Sequence, residues 1–320
     1  MSLTCASLAQ NKDLTCTITN GHMSKLLTDE DWDVLLRRIK QGRCTPFLGA
    51  GAAYGVLPLG GDIAKQWADK YDYPMEDRSN LIAVSQFLAL KYSDAVFPKD
   101  LIVEMFADAK EPDFNDATEP HRVLANLDLP VYVTTNYDDF MVKALARHHR
   151  QPNRVLCQWN RAVKDYVSDN PTILEKDPAY KPTVANPVVF HLHGHVPISE
   201  SLVLTEDDYM DFLVNISADP NLIPAPIARA LTGTSLLFIG YRISDWNFRV
   251  LLRSFDRIAE ASVSRLNVAV MPAPAGADEG KTQNYLTKYY ENIDVRVYWG
   301  TAKEFVTDLW TRWQKAGYAS

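Results

Sequence analysis

The sequence predicts an α/β fold: a Rossmann-like parallel sheet with helices on both faces, a helical insertion and no zinc ribbon. Three observations predict it. Short apolar runs alternate with stretches of helical period along most of the chain, the pattern of βαβ units. Several runs end in glycine or in polar side chains capable of chemistry, as strands do at the ligand-binding edge of an open parallel sheet. None of the four cysteines forms a Cys-x-x-Cys pair, so the usual zinc ribbon has no ligands.

Residues 1–22, rich in Ser, Thr and Asn, read as a flexible N-terminal arm. Residues 23–320 read as one domain, with the helical insertion at about 60–120. Thr28 caps a first helix whose first turn is acidic, and Trp32, Leu35, Leu36 and Ile39 follow at helical spacing. Gly42 ends it. Cys44, a small thiol expected to be buried, leads into the first strand, Thr45-Pro46-Phe47-Leu48. Helices are expected near 62–71, 79–92 and 98–109. A strand at 130–135 and a helix near 138–148 follow, then a further strand at 154–157. The Pro-, Asp- and Asn-rich stretch 165–187 reads as an irregular surface connection. Next come a strand at 187–192, a short one at 202–204, and helices near 206–214 and 221–232. Ser235–Tyr241 is a buried strand ending at Gly240. Ser244 and Asp245 cap a long helix to about 260. Strands near 266–271 and 294–299 and helices near 281–291 and 302–315 close the domain.

Three strand ends carry the candidate site. Gly49-Ala50-Gly51 follows the first strand. Glycine there permits a tight turn and close approach to a ligand, and free amides beyond it favour a phosphate. Thr134-Thr135-Asn136-Tyr137-Asp138 ends the second strand, and His191-Leu192-His193-Gly194-His195 ends another. Each residue also has a structural reading. Asn136 is placed to cap the next helix, Asp138 sits well in its first turn, and Gly49–Gly51 makes an ordinary strand-to-helix turn. His191, inside an apolar run, reads as buried and hydrogen-bonded. In a continuous strand all three histidines would meet one metal ion, but Gly194 interrupts it, and general-base use ranks above metal.

Taken in order, Gly49-Ala50-Gly51, Thr135-Asn136-Tyr137-Asp138, His193-Gly194 and Phe238-Ile239-Gly240-Tyr241 resemble the sirtuin fold. The segments are most similar to the bacterial sirtuin-like domains of anti-phage defence. The resemblance spans roughly residues 30–300 and implies that 23–320 is a sirtuin-like NAD-binding domain. It implies that Gly49, Ala50 and Gly51 approach the pyrophosphate, that Thr135, Asn136 and Asp138 bind cofactor near the nicotinamide ribose, and that Gly240 lies by the adenosine. Catalysis falls by the same resemblance to Asn136, His193 and Asp138, with His193 as general base. Protein-deacylating sirtuins carry a four-cysteine zinc module and an aromatic-Arg pair after the glycine loop. Here Leu57-Pro58-Leu59-Gly60-Gly61-Asp62 stands in that place. The resemblance therefore implies NAD hydrolysis, to nicotinamide and ADP-ribose, by an effector that starves an infected cell.

The composition, 47% hydrophobic and 23% charged, is that of a soluble domain, and the net charge of −7 gives no support to nucleic-acid binding. No apolar run reaches membrane-spanning length, and no secretory signal is seen. A cytoplasmic chain with free thiols is expected. So are a homo-oligomer, NAD as substrate, no metal, and a separate sensor or ATPase encoded nearby. Two other functions stay open: an NAD- or ADP-ribose-binding module without turnover, and an NAD-dependent protein deacylase.

Overall fold

The structure, a computed structural model, describes residues 27–241, 265–274 and 279–319. Strands β1 (Cys44–Leu48), β2 (Val131–Thr134), β3 (Asn153–Leu156), β4 (Val188–His191), β5 (Ser235–Ile239), β6 (Asn267–Met271) and β7 (Val295–Trp299) form one sheet. All neighbours are parallel, in the order β3-β4-β2-β1-β5-β6-β7. Successive side chains point to opposite faces, so each strand feeds two cores. Leu48, Tyr132, Val189, Leu237 and Val270 pack on one face, against α1 (Asp29–Lys40) and a C-terminal helix at Ala302–Lys315. Phe47, Val133, Phe190, Phe238 and Ala269 pack on the other, where Phe212, Ile227 and Tyr290 arrive from three further helices.

Local chemistry explains the helix ends. In α1 the Thr28 hydroxyl accepts from the Asp31 amide, the Asp31 carboxylate accepts from the Thr28 amide, and Trp32, Leu35, Leu36 and Ile39 are buried at helical spacing. Gly42, at φ +65°, turns the chain out of the helix.

Between β1 and β2 stand α2 (Gly60–Lys70), α3 (Leu81–Tyr92) and α4 (Phe97–Ala107), followed by the short α5 (Pro120–Ala125). Trp67, Leu88 and Ile102 of the first three share a separate core with Leu202 and Leu204 from the far side of β4. Residues 202–204 are no strand. They are spent as a buried wall of that core, where Tyr137 Oη donates to the Val203 carbonyl at 2.7 Å.

After β2 comes α6 (Phe140–Arg147). The stretch 165–187 is irregular from 177 on, but its first part holds the end of α7 (Arg161–Asp169) and all of α8 (Ile173–Lys176). Good caps outweigh its Pro and Asn content: Asn160 accepts from the Val163 amide, and Thr172 and Glu175 form a reciprocal box. The chain continues through α9 (Glu206–Ala218), α10 (Ala225–Gly233), α11 (Glu279–Glu291) and α12 (Ala302–Lys315). The expected arm at 1–22 and the helix begun by Ser244 and Asp245 lie outside the described residues.

Candidate functional site

The strand order places the site. The chain runs outward from β1 through β2 to β3 at the edge, comes back to set β4 between β2 and β3, then crosses to lay β5 on the other side of β1. The carboxyl ends of β1 and β5 flank this reversal, where open α/β sheets bind ligands.

Gly49–Gly51 and Gly240 meet at that point. The Gly49 amide donates to the Ile239 carbonyl at 2.9 Å and the Gly51 amide to the Gly240 carbonyl at 3.0 Å. A Cβ on Gly51 would stand 2.8 Å from Gly240 Cα, and one on Gly240 2.4 Å from the Ala52 amide nitrogen. Gly240 also lies at φ +87°, where side chains are strained. The close approach these glycines permit here is to each other's backbone. No α-helix follows the turn; Ala50–Ala53 is a short 3₁₀ segment.

The end of β2 is bound into the same edge. Asn136 Nδ2 donates to the Gly49 carbonyl at 3.1 Å, and the side chain is largely buried. It caps nothing. Asp139 holds the N-cap position of α6 without a side-chain cap bond, and Asp138 just before it supplies Oδ1 to the Phe140 amide at 2.9 Å. Asp138 Oδ2 is buried and has no hydrogen-bond partner among the described residues. Burial raises the Asp138 pKa, against the pull of His121. The Thr135 hydroxyl pairs with Tyr241 Oη at 2.9 Å, and Tyr241 Oη reaches the Leu48 carbonyl at 2.9 Å, so β1, β2 and β5 are laced together.

The end of β4 lies beside that of β2, because the Leu192 amide donates to the Thr134 carbonyl at 2.8 Å. The three histidines divide beyond it. His191 and His195 pack edge to face at 5.0 Å, and His195 Nε2 lies 3.0 Å from Asp139 Oδ1. His193 instead meets the rings of Tyr209 at 5.3 Å and Phe212 at 5.0 Å. Gly194, at φ +93°, makes this possible: a Cβ there would stand 2.2 Å from the Ser201 carbonyl oxygen. His191 is buried as expected, but neither ring nitrogen is hydrogen-bonded among the described residues, because Asp139 Oδ1 is 3.9 Å away and already serves His195. Nε2 of His193 is likewise buried and unpartnered. Burial brings both rings down to a pKa of about 3. No group of three His, Cys, Asp or Glu side chains among the described residues is disposed to hold a metal ion.

Two polar groupings beside the site escaped the sequence. Asp139 is gripped by both Arg154 and His195. Burial works against its charge, yet His195 and then Arg154 hold its pKa well below the usual range. His121 Nδ1 lies 2.7 Å from Glu119 Oε1, and although burial opposes the charged ring, this partner holds its pKa above the ordinary value. The cap signal Glu119-Pro120 ahead of an apolar run marks the second grouping. The first joins Asp139 after β2, Arg154 within β3 and His195 after β4, and leaves no local signal.

With this geometry in view, known proteins give the following comparisons. A family model described as "SIR2-like domain" matches residues 130–297. The chain is 27% identical over 219 residues to the NAD(+) hydrolase ThsA of Cytobacillus dafuensis, covering 68% of this chain and 39% of that protein. It is 31% identical over 137 residues to the NAD(+) hydrolase ThsA of Bacillus cereus (strain MSX-D12), covering 43% of this chain and 24% of that one. The chain thus spans less than half the length of these relatives. A solved structure, "Structural Basis for the Mechanism and Regulation of Sir2 Enzymes", shares 11% identity at a TM-score of 0.40, over 90% of this chain and 99% of that one. The family match takes in the strand ends that carry Asn136, Asp138, His193 and Gly240, and the chain belongs to the SIR2-like family.

Proposed function

We propose that this chain is an NAD hydrolase that releases nicotinamide and leaves ADP-ribose, and that it serves as the effector of an anti-phage system switched on by a partner protein. The observation that carries the reading is the bond from Asn136 to the Gly49 carbonyl. It draws the β2 end onto the glycine turn at the sheet's reversal, so one edge carries both the glycine turn and polar groups suited to a ribose. The names of the relatives support the substrate. Their low identity and greater length leave the activity of this chain a proposal.

The residues suit the ligand. Asp138 Oδ2 and His193 Nε2 are buried atoms with hydrogen-bonding capacity to spare, as groups that meet a bound molecule are. In this reading Gly49, Ala50, Gly51 and Gly240 flank the diphosphate and adenosine, and Thr135 holds the edge together through Tyr241. Nicotinamide departs from the ribose through an oxocarbenium-like state. Asn136 orients ribose or water, Asp138 faces the developing positive charge, and His193 accepts the proton.

Purified protein incubated with NAD tests the proposal, alone, with an acyl-lysine peptide, and with the product of the adjacent gene. Nicotinamide release that needs no peptide is expected. Release only with peptide would make the chain a deacylase. Binding without release, even with the neighbouring gene product, would make it a binding module.

A further inference from the structure

His193 is held in a slot it does not build. Its walls are Tyr209 and Phe212, both on α9, each presenting a near-perpendicular ring. Of the titratable groups on the elements packed here, Tyr209 of α9 faces the ring, Asp208 at the start of α9 pairs with Lys99 of α4, and Tyr137 after β2 has its hydroxyl committed to Val203. None of them accounts for the state of the imidazole; burial alone does. How dry and how fixed His193 is depends on where α9 lies.

The first turn of α9 is fastened to the helical insertion twice. Lys99 Nζ meets Asp208 Oδ1 at 2.7 Å, with both side chains almost wholly buried. Gln86 exchanges two hydrogen bonds with Asp207, donating to its carboxylate at 2.8 Å and accepting from its amide at 3.1 Å. Asp208 Oδ2 also accepts from the Leu204 and Thr205 amides, so the ion pair and the helix cap are one assembly. A second path runs through rings. Lys99 Nζ lies 5.8 Å from the centre of the Trp159 ring, Trp159 packs edge-on against Phe212 at 6.4 Å, and Phe212 touches His193. Trp159 Nε1 donates to the Ser201 carbonyl at 2.8 Å, the same carbonyl that crowds Gly194.

Resting on the NAD-hydrolase reading, we infer that Lys99 and Asp208 are positioning residues for His193: their buried ion pair sets α9, and α9 sets the aromatic slot that holds the proposed base. A surface ion pair would be a weak fastener, but a buried pair cannot lose one member without leaving an uncompensated charge, so its geometry is enforced. The insertion thereby reaches the β4 strand end through α9.

The test follows the imidazole itself. Ring resonances of His193, assigned by their absence in His193→Ala, are titrated by NMR, and its diethyl pyrocarbonate labelling is timed by mass spectrometry. The native ring should stay neutral from pH 8 to 5 and label slowly. In Lys99→Met it should titrate inside that window, a gain in proton affinity of about a hundredfold or more, and label about tenfold faster, with Lys99→Arg restoring both. The acid limb of kcat should move with the titration while KM for NAD stays within about twofold. Gln86→Ala removes an exposed link and leaves the core intact; it should speed His193 labelling about threefold. A folded Lys99→Met or Gln86→Ala with native titration and labelling overturns the inference and leaves the pair a structural brace. If Lys99→Met does not fold, Gln86→Ala decides alone. Should His193→Ala keep native nicotinamide release, the hydrolase mechanism fails, while the titration still decides the positioning claim.

Discussion

His191 and His193 stand two residues apart and are equally dry, yet they face different tasks. His191 has Asp139 at 3.9 Å but no hydrogen bond, so its burial is a standing cost to the fold. Its folded pKa, about 3, lies below the ordinary 6.5. The unfolded chain therefore takes the proton first, and stability present above pH 6.5 is lost as pH falls toward 3. The loss approaches roughly 1.4 kcal/mol per pH unit for each such ring. His121, held above 6.5 by Glu119, adds no slope in this window, and Asp138, whose pKa burial raises, works the other way. His148, whose pKa burial also lowers, adds to the same decline, so His191→Phe should flatten it between pH 6.5 and 5 by roughly a third to a half, read from urea midpoints; an unchanged slope would place the titrating group elsewhere. In the proposed mechanism His193 bears on turnover instead. His193→Ala and Asn136→Ala should each lower nicotinamide release about a hundredfold or more in the activated protein, and the double variant should be little worse than the poorer single one. Both should fold, because the His193 ring is edge-packed and Asn136 gives up one bond to Gly49. Native turnover in both would move the active site elsewhere.

At the scale of elements, the glycine turn and the strand ending at Gly240 form one seam. The resemblance has Gly51 approach a pyrophosphate, which asks for a position without a side chain. The geometry adds a cost that needs no ligand, since Cβ atoms at Gly51 and Gly240 would strike backbone rather than flexible side chains. Gly240→Ala combines such a clash with a strained φ and should cost about 2–4 kcal/mol without NAD, measured by thermal or urea melts. A variant as stable as the native chain would show that the seam gives way easily. The strands were legible because strands buried on both faces are written as unbroken apolar runs, Leu236–Ile239 and Val188–Phe190 among them. The helices 161–169 and 173–176 were not, because short capped helices hide among Pro and Asn. The slot around His193 was illegible for a different reason. Tyr209 and Phe212 read only as apolar positions of a helix, and nothing local says that this helix packs over the end of β4.

Across the whole molecule, twelve helices among the described residues cover a single sheet, and no described helix is long and apolar enough to cross a membrane. No three metal-ligating side chains among the described residues are disposed to hold an ion, and His193 turns away from His191 and His195. Nicotinamide release should therefore survive exhaustive chelation. Activity that disappears and returns with Zn2+ or Mg2+ would restore the three histidines as ligands. The insertion has its own core, so its stability is separable from that of the sheet. Leu88→Ala should destabilise it by about 2–5 kcal/mol, seen as faster amide exchange in 60–107, while β1 and β5 stay protected. Uniform deprotection would make insertion and sheet one cooperative unit.

The seam between Gly51 and Gly240 also sets a timetable. The two residues are separated by 189 positions, from 51 to 240. At ribosomal speeds of about 5–20 residues per second, the first waits roughly 10–40 s for the second to be made. For that interval β1 has one edge unpaired and the proposed NAD edge lacks half its wall. On the proposed reading a nascent chain is thus inert by construction, and the proposed site becomes assembled only after β5 has left the exit tunnel. Ribosome-stalled chains ending before Gly240 should be cleaved by protease near Gly49–Ala53, and chains that carry β5 clear of the tunnel should resist. Early protection would mean that another segment shields the turn until its partner arrives.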